Sequence, residues 1–270
     1  MEIIGYLASI VIGITLGLLG GGGSILIVPV LVYIFKVPPV LATAYSLFIV
    51  GTSSLLGAIP KYKQGCVSLR TTIVFGIPSI ISVFITRKYL IPNIPDTIVK
   101  IGNTSLTKPL LMMLMFAVLM LFASISMIRN NKNNDENKLD EKQSFNYPLI
   151  LIEGITVGAL TGFVGAGGGF MIVPALVILS KLPMKKAIGT SLLIIALKSL
   201  IGFLGDLTQE NQAIEWNFLL WISLLAILGI FIGNRLSLKI QAKKLKKTFG
   251  WFVLIMGVLI LLKEGLENIF

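Results

Sequence analysis

One lysine stands inside an apolar segment, where a positive charge is unfavourable. Lys198 lies in TSLLIIALKSLIGFLGD, well inside the apolar stretch 187–205. A lysine at the centre of a membrane span costs about 2.5–3.5 kcal/mol on insertion scales. A fixed cation at such a place suits the binding of an anion, so Lys198 is a candidate substrate ligand. The alternative is a structural role, in which the side chain reaches back to the membrane surface or forms an ion pair within the fold.

Hydroxyl side chains in two related segments could donate hydrogen bonds to an anion without adding charge. Ser46 lies in Ala42–Leu47, while Thr190 and Ser191 lie in Ala187–Leu192. The alternative for such groups is a hydrogen bond to the backbone or to a neighbouring helix. Since the serine recurs at equivalent places, we include all three as candidate ligands and keep the structural alternative open.

Two glycine runs, Gly20–Gly23 and Gly165–Gly169, predict breaks in membrane helices. Glycine adopts backbone conformations that other residues avoid, and broken backbone at membrane depth must be buried in protein or line a cavity. The apolar pieces 25–35 and 170–180 would form short helices after the breaks, and their first amides carry about half a positive charge. The amides predicted to face an anion belong to Gly22, Gly23, Ser24, Gly167, Gly168 and Gly169. We expect Gly22 and Gly168 to tolerate no side chain.

The glycine runs belong to one pattern that occurs twice. Residues 13–57 and 158–202 align without a gap at an offset of 145, and 19 of the 45 paired positions are identical. Lys198 is paired with Ser53, so its charge breaks the internal symmetry. Interrupted apolar segments at matching places in two halves indicate a transporter, with its site near the bilayer midplane. The spaced pairs Gly13/Gly17 and Gly158/Gly162 are interpreted as helix-packing positions instead.

Composition places the chain in a membrane and excludes several kinds of chemistry. Hydrophobic residues make up 55% and charged residues 13%, whereas about 25% of the residues in a soluble domain are charged. Without histidine and with Cys66 as the single cysteine, the chain cannot form a histidine-based triad or zinc site, or an internal disulfide. We therefore expect no enzyme activity and no cofactor. We also expect no nucleic-acid partner, because basic cytoplasmic loops account for the net charge of +11.

Hydropathy predicts an all-α integral membrane protein with eight full spans besides the two half-helices. The spans lie near residues 3–19, 40–59, 71–86, 109–128, 148–165, 187–205, 216–233 and 248–266. The polar segment 130–146 is predicted to be a flexible linker. It divides the chain into an N-terminal repeat half, 1–129, and a C-terminal repeat half, 147–270.

Two topologies fit this pattern. If each glycine-broken segment crosses once, the halves are parallel; if it enters and returns, they are inverted. With the basic run 235–247 inside, inversion places 16 Lys and Arg residues inside and 6 outside, against 14 and 8 for parallel halves. The positive-inside rule therefore favours inversion by two residues. Inversion makes the 130–146 linker cytoplasmic, and both topologies place the C terminus outside.

The acidic residues suggest little chemistry by themselves. Asp206, Glu210 and Glu215 are expected in a solvated outer loop. Glu153 is close to the start of its span, and we interpret it as an interfacial residue.

At its glycine runs the chain resembles the TauE/SafE family of membrane permeases. The resemblance covers essentially the whole chain and rests on Gly17–Gly23 with Ile27-Val28-Pro29-Val30-Leu31, Gly162–Gly169 with Ile172-Val173-Pro174-Ala175-Leu176, and Ala187-Ile188-Gly189-Thr190-Ser191-Leu192. It implies a bacterial inner-membrane transporter of small sulfur-containing anions such as sulfite or organosulfonates. Because this chain has no histidine, a histidine-based proton step is not expected.

The sequence thus predicts a secondary carrier for a small anion in the lipid bilayer, with a proton or a sodium ion as candidate coupling ion. The chain has no phosphate-binding G-x-x-x-x-G-K-[ST] loop, so ATP is not expected to drive transport. A passive anion channel and a non-transporting scaffold are the alternatives. The sequence does not specify the anion, the direction or the oligomeric state.

Overall fold

The computed structural model describes residues 2–101, 104–129, 147–178, 180, 182–208, 214–237 and 242–269. The helices in this part of the chain are α1 Glu2–Leu19, α2 Gly22–Ile34, α3 Pro39–Lys63, α4 Leu69–Asn93, α5 Lys108–Ile128, α6 Tyr147–Val164, α7 Gly169–Ile178, α8 Met184–Leu207, α9 Trp216–Leu236 and α10 Ala242–Ile269. The strands β1 Thr97–Ile101 and β2 Thr104–Thr107 form an antiparallel ribbon between α4 and α5. The predicted linker 130–146 lies outside the described residues.

A membrane protein is confirmed, but the number of full-length spans differs from the prediction. In the described ranges six helical segments are long and apolar enough to cross a bilayer: α3, α4, α5, α8, α9 and residues Lys247–Gly265 of α10. The apolar parts of α1 and α6 are shorter, because each of these helices ends at a glycine run. The β-ribbon was not predicted either. Its first strand is rich in β-branched residues, which favour extended backbone.

The first glycine run turns the chain back on itself. Gly23 of α2 packs against Thr15 and Leu16 of α1, and the rings of Tyr6 and Phe35 lie 5.4 Å apart. The end of α2 therefore returns to the level at which α1 begins. The helix α2 is irregular, with a 3₁₀ turn, a short α-helical turn and a π-turn in succession, in keeping with the glycines and the proline within it.

The second glycine run shares backbone hydrogen bonds with the first. The amide of Gly20 donates to the carbonyl of Leu16, and the amide of Gly165 donates to that of Thr161, at the same offset of 145. Further along, Val37 donates to Leu31 and Leu182 donates to Leu176, again at that offset. The two half-helices are thus held by equivalent hydrogen bonds.

The helices pack mainly across the two halves. The pairs in closest contact are α1 with α9, α4 with α6, α3 with α8 and α5 with α10. Gly13 packs on Ala226 of α9, and Gly158 packs on Ser79 of α4, with their backbones in contact. The predicted packing role of these glycines is confirmed. Close backbone approach at small residues is the usual basis of helix association in a bilayer.

The long helices α3 and α8 form the antiparallel centre of the molecule. Gly51 of α3 packs on Leu200, whereas Gly189 of α8 packs on Lys61. The end of the molecule that holds Tyr6 and Phe35 is called the N-terminal side below. The end that holds Lys61 is called the linker side.

Candidate functional site

The two glycine loops meet at the centre of the molecule. Gly21 has a φ of +106°, and Gly167 and Gly168 have φ values of +64° and +73°. Side chains rarely adopt this left-handed region, so the turns depend on glycine. A β-carbon at Gly21 would lie 2.8 Å from the Cα of Gly169. The loops therefore touch backbone to backbone.

Each glycine loop also lies against the long central helix of the other half. Gly20 packs on Ile188 of α8, and Gly165 packs on Thr43 of α3. Ile188 and Thr43 are equivalent at the offset of 145, so the two contacts are related by the internal repeat. The centre is thus built from both loops together with α3 and α8.

Lys198 points into this centre. Its side chain is fully buried, and its Nζ donates a hydrogen bond of 2.7 Å to the Oγ1 of Thr161 on α6. A β-carbon at Gly168 would lie 2.7 Å from the same Nζ. The alternative that Lys198 reaches the membrane surface is therefore wrong. Among the described residues no carboxylate forms an ion pair with it.

The two repeat-related serines have different surroundings. The Oγ of Ser191 donates to the carbonyl of Gly20 at 2.6 Å and to that of Ile188 at 2.8 Å, so it fixes the first glycine loop. The Oγ of Ser46 is buried and has no hydrogen-bond partner among the described residues. Ser46 is thus available to a ligand in a way that Ser191 is not.

The remaining candidate ligands make contacts with other groups of the protein. Thr190 accepts a hydrogen bond of 2.9 Å from the amide of Ser68, and Ser24 donates to the carbonyl of Gly21 at 2.7 Å. A β-carbon at Gly22 would meet the side chain of Leu19 rather than a polar group. The neighbours of the other glycines are Thr15 for Gly23, Val50 and Ile195 for Gly167, and Gly21 for Gly169.

Sequence reasoning missed a buried ion pair near the N-terminal side. The Nη1 of Arg87 on α4 lies 3.2 Å from the Oδ2 of Asp206, and both side chains are excluded from solvent. The same Nη1 donates to the Oγ1 of Thr43 at 3.1 Å. A signal was present in the sequence, because Arg87 directly follows the apolar segment 71–86.

The prediction of a solvated loop is therefore wrong for Asp206. The helix α8 continues to Leu207, and its last turn packs against α4, which buries the carboxylate. Glu215 is exposed as expected, and its amide donates to the hydroxyl oxygen of Tyr45 at 2.7 Å. Glu210 lies outside the described residues.

The N-terminal side carries a cavity of about 480 Å³ whose lining includes Lys36, Tyr45 and Glu215. Aromatic rings stand beside it: Phe218 lies 5.0 Å from Phe35 and 6.1 Å from Tyr45. At the repeat-equivalent places of Phe35 and Tyr45 the chain has Ser180 and Thr190. Aromatic rings thus cluster at the N-terminal side, whereas the equivalent positions on the linker side are small and polar.

A bundle of membrane-spanning helices, in which two broken segments meet beside a buried cation, has the architecture of a membrane transporter. The family model described as Sulfite exporter TauE/SafE matches residues 5–260. The chain therefore belongs to this family of membrane permeases. It is a permease and not an enzyme, as predicted.

Curated relatives carry similar names. A "Probable membrane transporter protein" of Xylella fastidiosa (strain 9a5c) is 29% identical, with 93% of this chain and 91% of that protein aligned. The "Probable membrane transporter protein MJ0441" of Methanocaldococcus jannaschii is 27% identical over 87% and 85% of the two chains. The "Probable membrane transporter protein YdhB" of Bacillus subtilis is 25% identical over 94% and 98%. No solved structure matches this chain.

Proposed function

We propose that this protein is a secondary carrier that moves a small sulfur-containing anion, of the sulfite or organosulfonate type, across the bacterial inner membrane. The observation that carries the proposal is the ammonium of Lys198, which is fully buried beside the loop of Gly168. Within the described part of the chain it has a hydroxyl partner but no ion-pair partner. An intramembrane charge of this kind marks a substrate or ion site. An oxyanion would supply the missing negative charge.

The proposed site combines three kinds of donor. Lys198 supplies the positive charge, and Thr161 holds its side chain in place. Amides of Gly167–Gly169, which lead into α7, supply donors of the kind that bind oxyanions at helix starts. The hydroxyl of Ser46 supplies a further uncommitted donor from the other half. Ser191 acts indirectly in this scheme, by holding the carbonyl of Gly20.

Packing at the centre supports a carrier rather than a channel. A channel needs a continuous open path, whereas here the backbones of Gly21 and Gly169 are in contact. The rings of Phe35 and Phe218 pack together at the N-terminal side. A substrate therefore reaches the centre only after the helices move, as alternating access requires.

We further propose that the two halves are inverted, with the linker side in the cytoplasm and the C terminus outside. The return of α2 to the start of α1 supports this topology. If the broken segment enters and returns, the three other long helices of each half cross the membrane, and an odd number of crossings inverts the second half relative to the first. Charge supports it too, because basic residues concentrate in cytoplasmic loops. Exposed basic residues at the linker side include Lys63, Arg70, Lys185, Lys186 and Arg235, whereas Lys36 and Lys263 are exposed at the other side.

Exchange in proteoliposomes tests this function. Vesicles that hold the purified protein and unlabelled methanesulfonate or sulfite should take up labelled anion of the same kind by exchange, without a net current. Empty vesicles and vesicles preloaded with chloride serve as controls. A current that reverses at the anion equilibrium potential would show a channel. If none of the sulfur anions exchanges, the proposed substrate class is wrong.

A further inference from the structure

We infer that Glu153 is a proton-binding site, open toward the linker side, whose protonation is coupled to anion transport. The inference deepens the proposed function and rests on it for the identity of the transported anion. A cavity of about 300 Å³ lies between α5, α6 and α7, and Glu153 lines it. The other lining residues are Leu119, Phe122, Ala123, Ser126, Val157, Phe170, Met171, Pro174 and Ala175.

No described residue neutralises the carboxylate of Glu153. Its Oε2 is buried and has no hydrogen-bond partner among the described residues. An ionised carboxylate removed from water without a partner is strongly unfavourable, so such a group takes up a proton or binds a cation. Glu153 lies six residues into α6, about 9 Å from its start at the linker side. Protons from that side have a short path to it.

The internal repeat provides a comparison within the same molecule. The corresponding place in the N-terminal half is a cavity of only about 10 Å³. Ile12 and Val30 line it there, at the positions that Val157 and Ala175 occupy in the larger cavity. Glu153 itself corresponds to Ala8. Both the carboxylate and the space around it are thus particular to the C-terminal half, as is the charge of Lys198.

A single helix face connects Glu153 with the proposed anion site. Glu153, Val157 and Thr161 follow one another at intervals of four residues along α6, so they lie on the same face. The Oγ1 of Thr161 donates to the carbonyl of Val157 at 2.6 Å and accepts from Lys198. Eight residues separate Glu153 from Thr161, which is about 12 Å along the helix.

The same cavity borders the second glycine-broken segment. Phe170 lines the cavity and directly follows Gly169, which touches the first glycine loop. A change at Glu153 can therefore act through α7, as well as along α6, on the contact between the two glycine loops.

The surroundings favour a proton over a metal ion as the ligand. Among the lining side chains Ser126 is the other one with an oxygen, whereas a hard cation such as Ca²⁺ takes six to eight oxygen ligands. No second titratable group faces Glu153 from α5 or α7, and the α4 residues opposite Gly154 and Gly158 are Phe75, Pro78, Ser79 and Ser82. The charged residues on the helices packed against α6 are Lys108 of α5, Arg70, Arg87 and Lys88 of α4, and Lys185, Lys186, Lys198 and Asp206 of α8, and none of them lines the cavity.

The expected coupling has a simple charge balance. One proton binds an oxygen of Glu153 while one monoanionic sulfonate binds beside Lys198, so the two together add no net charge to the carrier. With one proton per anion, a gradient of one pH unit supports about tenfold accumulation. A membrane potential with the same driving force as this pH gradient should have little effect on the accumulation, because the proton and the anion together carry no net charge.

Labelled methanesulfonate is the appropriate probe, because its charge does not change near neutral pH. In proteoliposomes with an imposed pH gradient, the wild type should accumulate the anion. Glu153→Gln should lose accumulation yet keep the exchange of labelled for unlabelled anion, because the anion site is intact. Ala175→Val introduces the residue found at the equivalent position, Val30, in the much smaller cavity of the N-terminal half. By filling the space beside Glu153 it should reduce the response to the gradient. Asp96→Asn, which changes an exposed carboxylate, is the matched control and should behave as the wild type.

An infrared titration of the purified protein gives a readout that does not depend on transport. The carboxylic-acid C=O band of Glu153 should change with pH and be absent from Glu153→Gln. Accumulation by Glu153→Gln equal to that of the wild type, or a sodium requirement in place of the pH gradient, overturns the inference. Absence of this band from the wild type overturns it as well. If the band titrates but no sulfur anion exchanges, Glu153 stands as a proton site and the proposed substrate class fails.

Discussion

At the residue scale, the surroundings of Lys198 define what its charge can do. Its ammonium has a neutral hydroxyl as partner and lies at the glycine loop of the second broken segment. The buried charge of Arg87, by contrast, is matched by Asp206. Two buried cations in one bundle thus differ: Arg87 is paired with a carboxylate within the fold, and Lys198 is the proposed ligand of the anion.

Replacement of Lys198 by methionine should weaken anion binding and leave the fold intact. Methionine keeps an unbranched apolar side chain but removes a charge-assisted hydrogen bond of about 1.5–3 kcal/mol, or roughly 10- to 150-fold in affinity. Lys198→Arg should keep part of the affinity. Calorimetric titration with sulfite or methanesulfonate measures the effect, and Lys247→Met, at an exposed lysine, is the control. Equal affinity of Lys198→Met and the wild type would show that the charge has no part in binding.

Loss of one member of the Arg87–Asp206 pair should lower stability. Asp206→Asn removes the carboxylate that pairs with the buried guanidinium of Arg87, and breaking a buried pair costs about 3–5 kcal/mol. The double variant Arg87→Met/Asp206→Leu should recover much of the loss, because neither charge remains buried. Thermal unfolding of the purified variants, followed by tryptophan fluorescence, measures this. If Asp206→Asn unfolds at the wild-type temperature, the pair does not stabilise the fold.

At the scale of elements, the glycine loops differ in how strictly each glycine is required. The sequence suggested equal intolerance at Gly22 and Gly168. The structure separates them: Gly168 has a φ of +73° and faces Thr161 and Lys198, whereas Gly22 lacks a positive φ and a β-carbon there would lie 3.2 Å from the Cβ of Leu19. The break in the second segment is therefore the more constrained one.

Alanine at these two positions should have opposite outcomes. Gly168→Ala forces a side chain into the left-handed region, at about 1–2 kcal/mol, and places a methyl group against the ammonium of Lys198. It should abolish anion exchange in proteoliposomes, while Gly22→Ala keeps most of it. Circular dichroism of both variants checks that the helices form. Full exchange by Gly168→Ala would exclude the second glycine loop as part of the anion site.

At the scale of the whole molecule, the proposed inversion makes a prediction about sidedness. A cysteine at Asn134→Cys, in a Cys66→Ser background, should be labelled by an impermeant maleimide only after the inner membrane is opened. Asp96→Cys, in the same background, should be labelled in cells whose inner membrane is intact, because Asp96 lies at the N-terminal side. Labelling of the 134 position from outside would refute inversion and restore the parallel arrangement.

Features that repeat along the chain could be determined from the sequence. Hydropathy fixes which segments enter a bilayer, because the cost of burying charge there is large. The glycine runs fix where helices break, because few other residues tolerate a left-handed backbone. The membrane class, the two breaks, the burial of Lys198 and the packing role of Gly13 and Gly158 followed from these local rules.

Partners across the molecule were decided by the tertiary structure alone. Arg87 and Asp206 are 119 residues apart, and Ser191 and Gly20 are 171 residues apart. No local pattern indicates that α4 packs beside the end of α8, or that one of two equivalent serines holds a carbonyl while the other stays unpartnered. Such pairings depend on the angle and depth at which helices pack, which small residues on distant segments set together. Glu153 shows the same limit: its sequence neighbours suggested an interfacial residue, and only the gap left by Val157 and Ala175 made it the wall of a cavity.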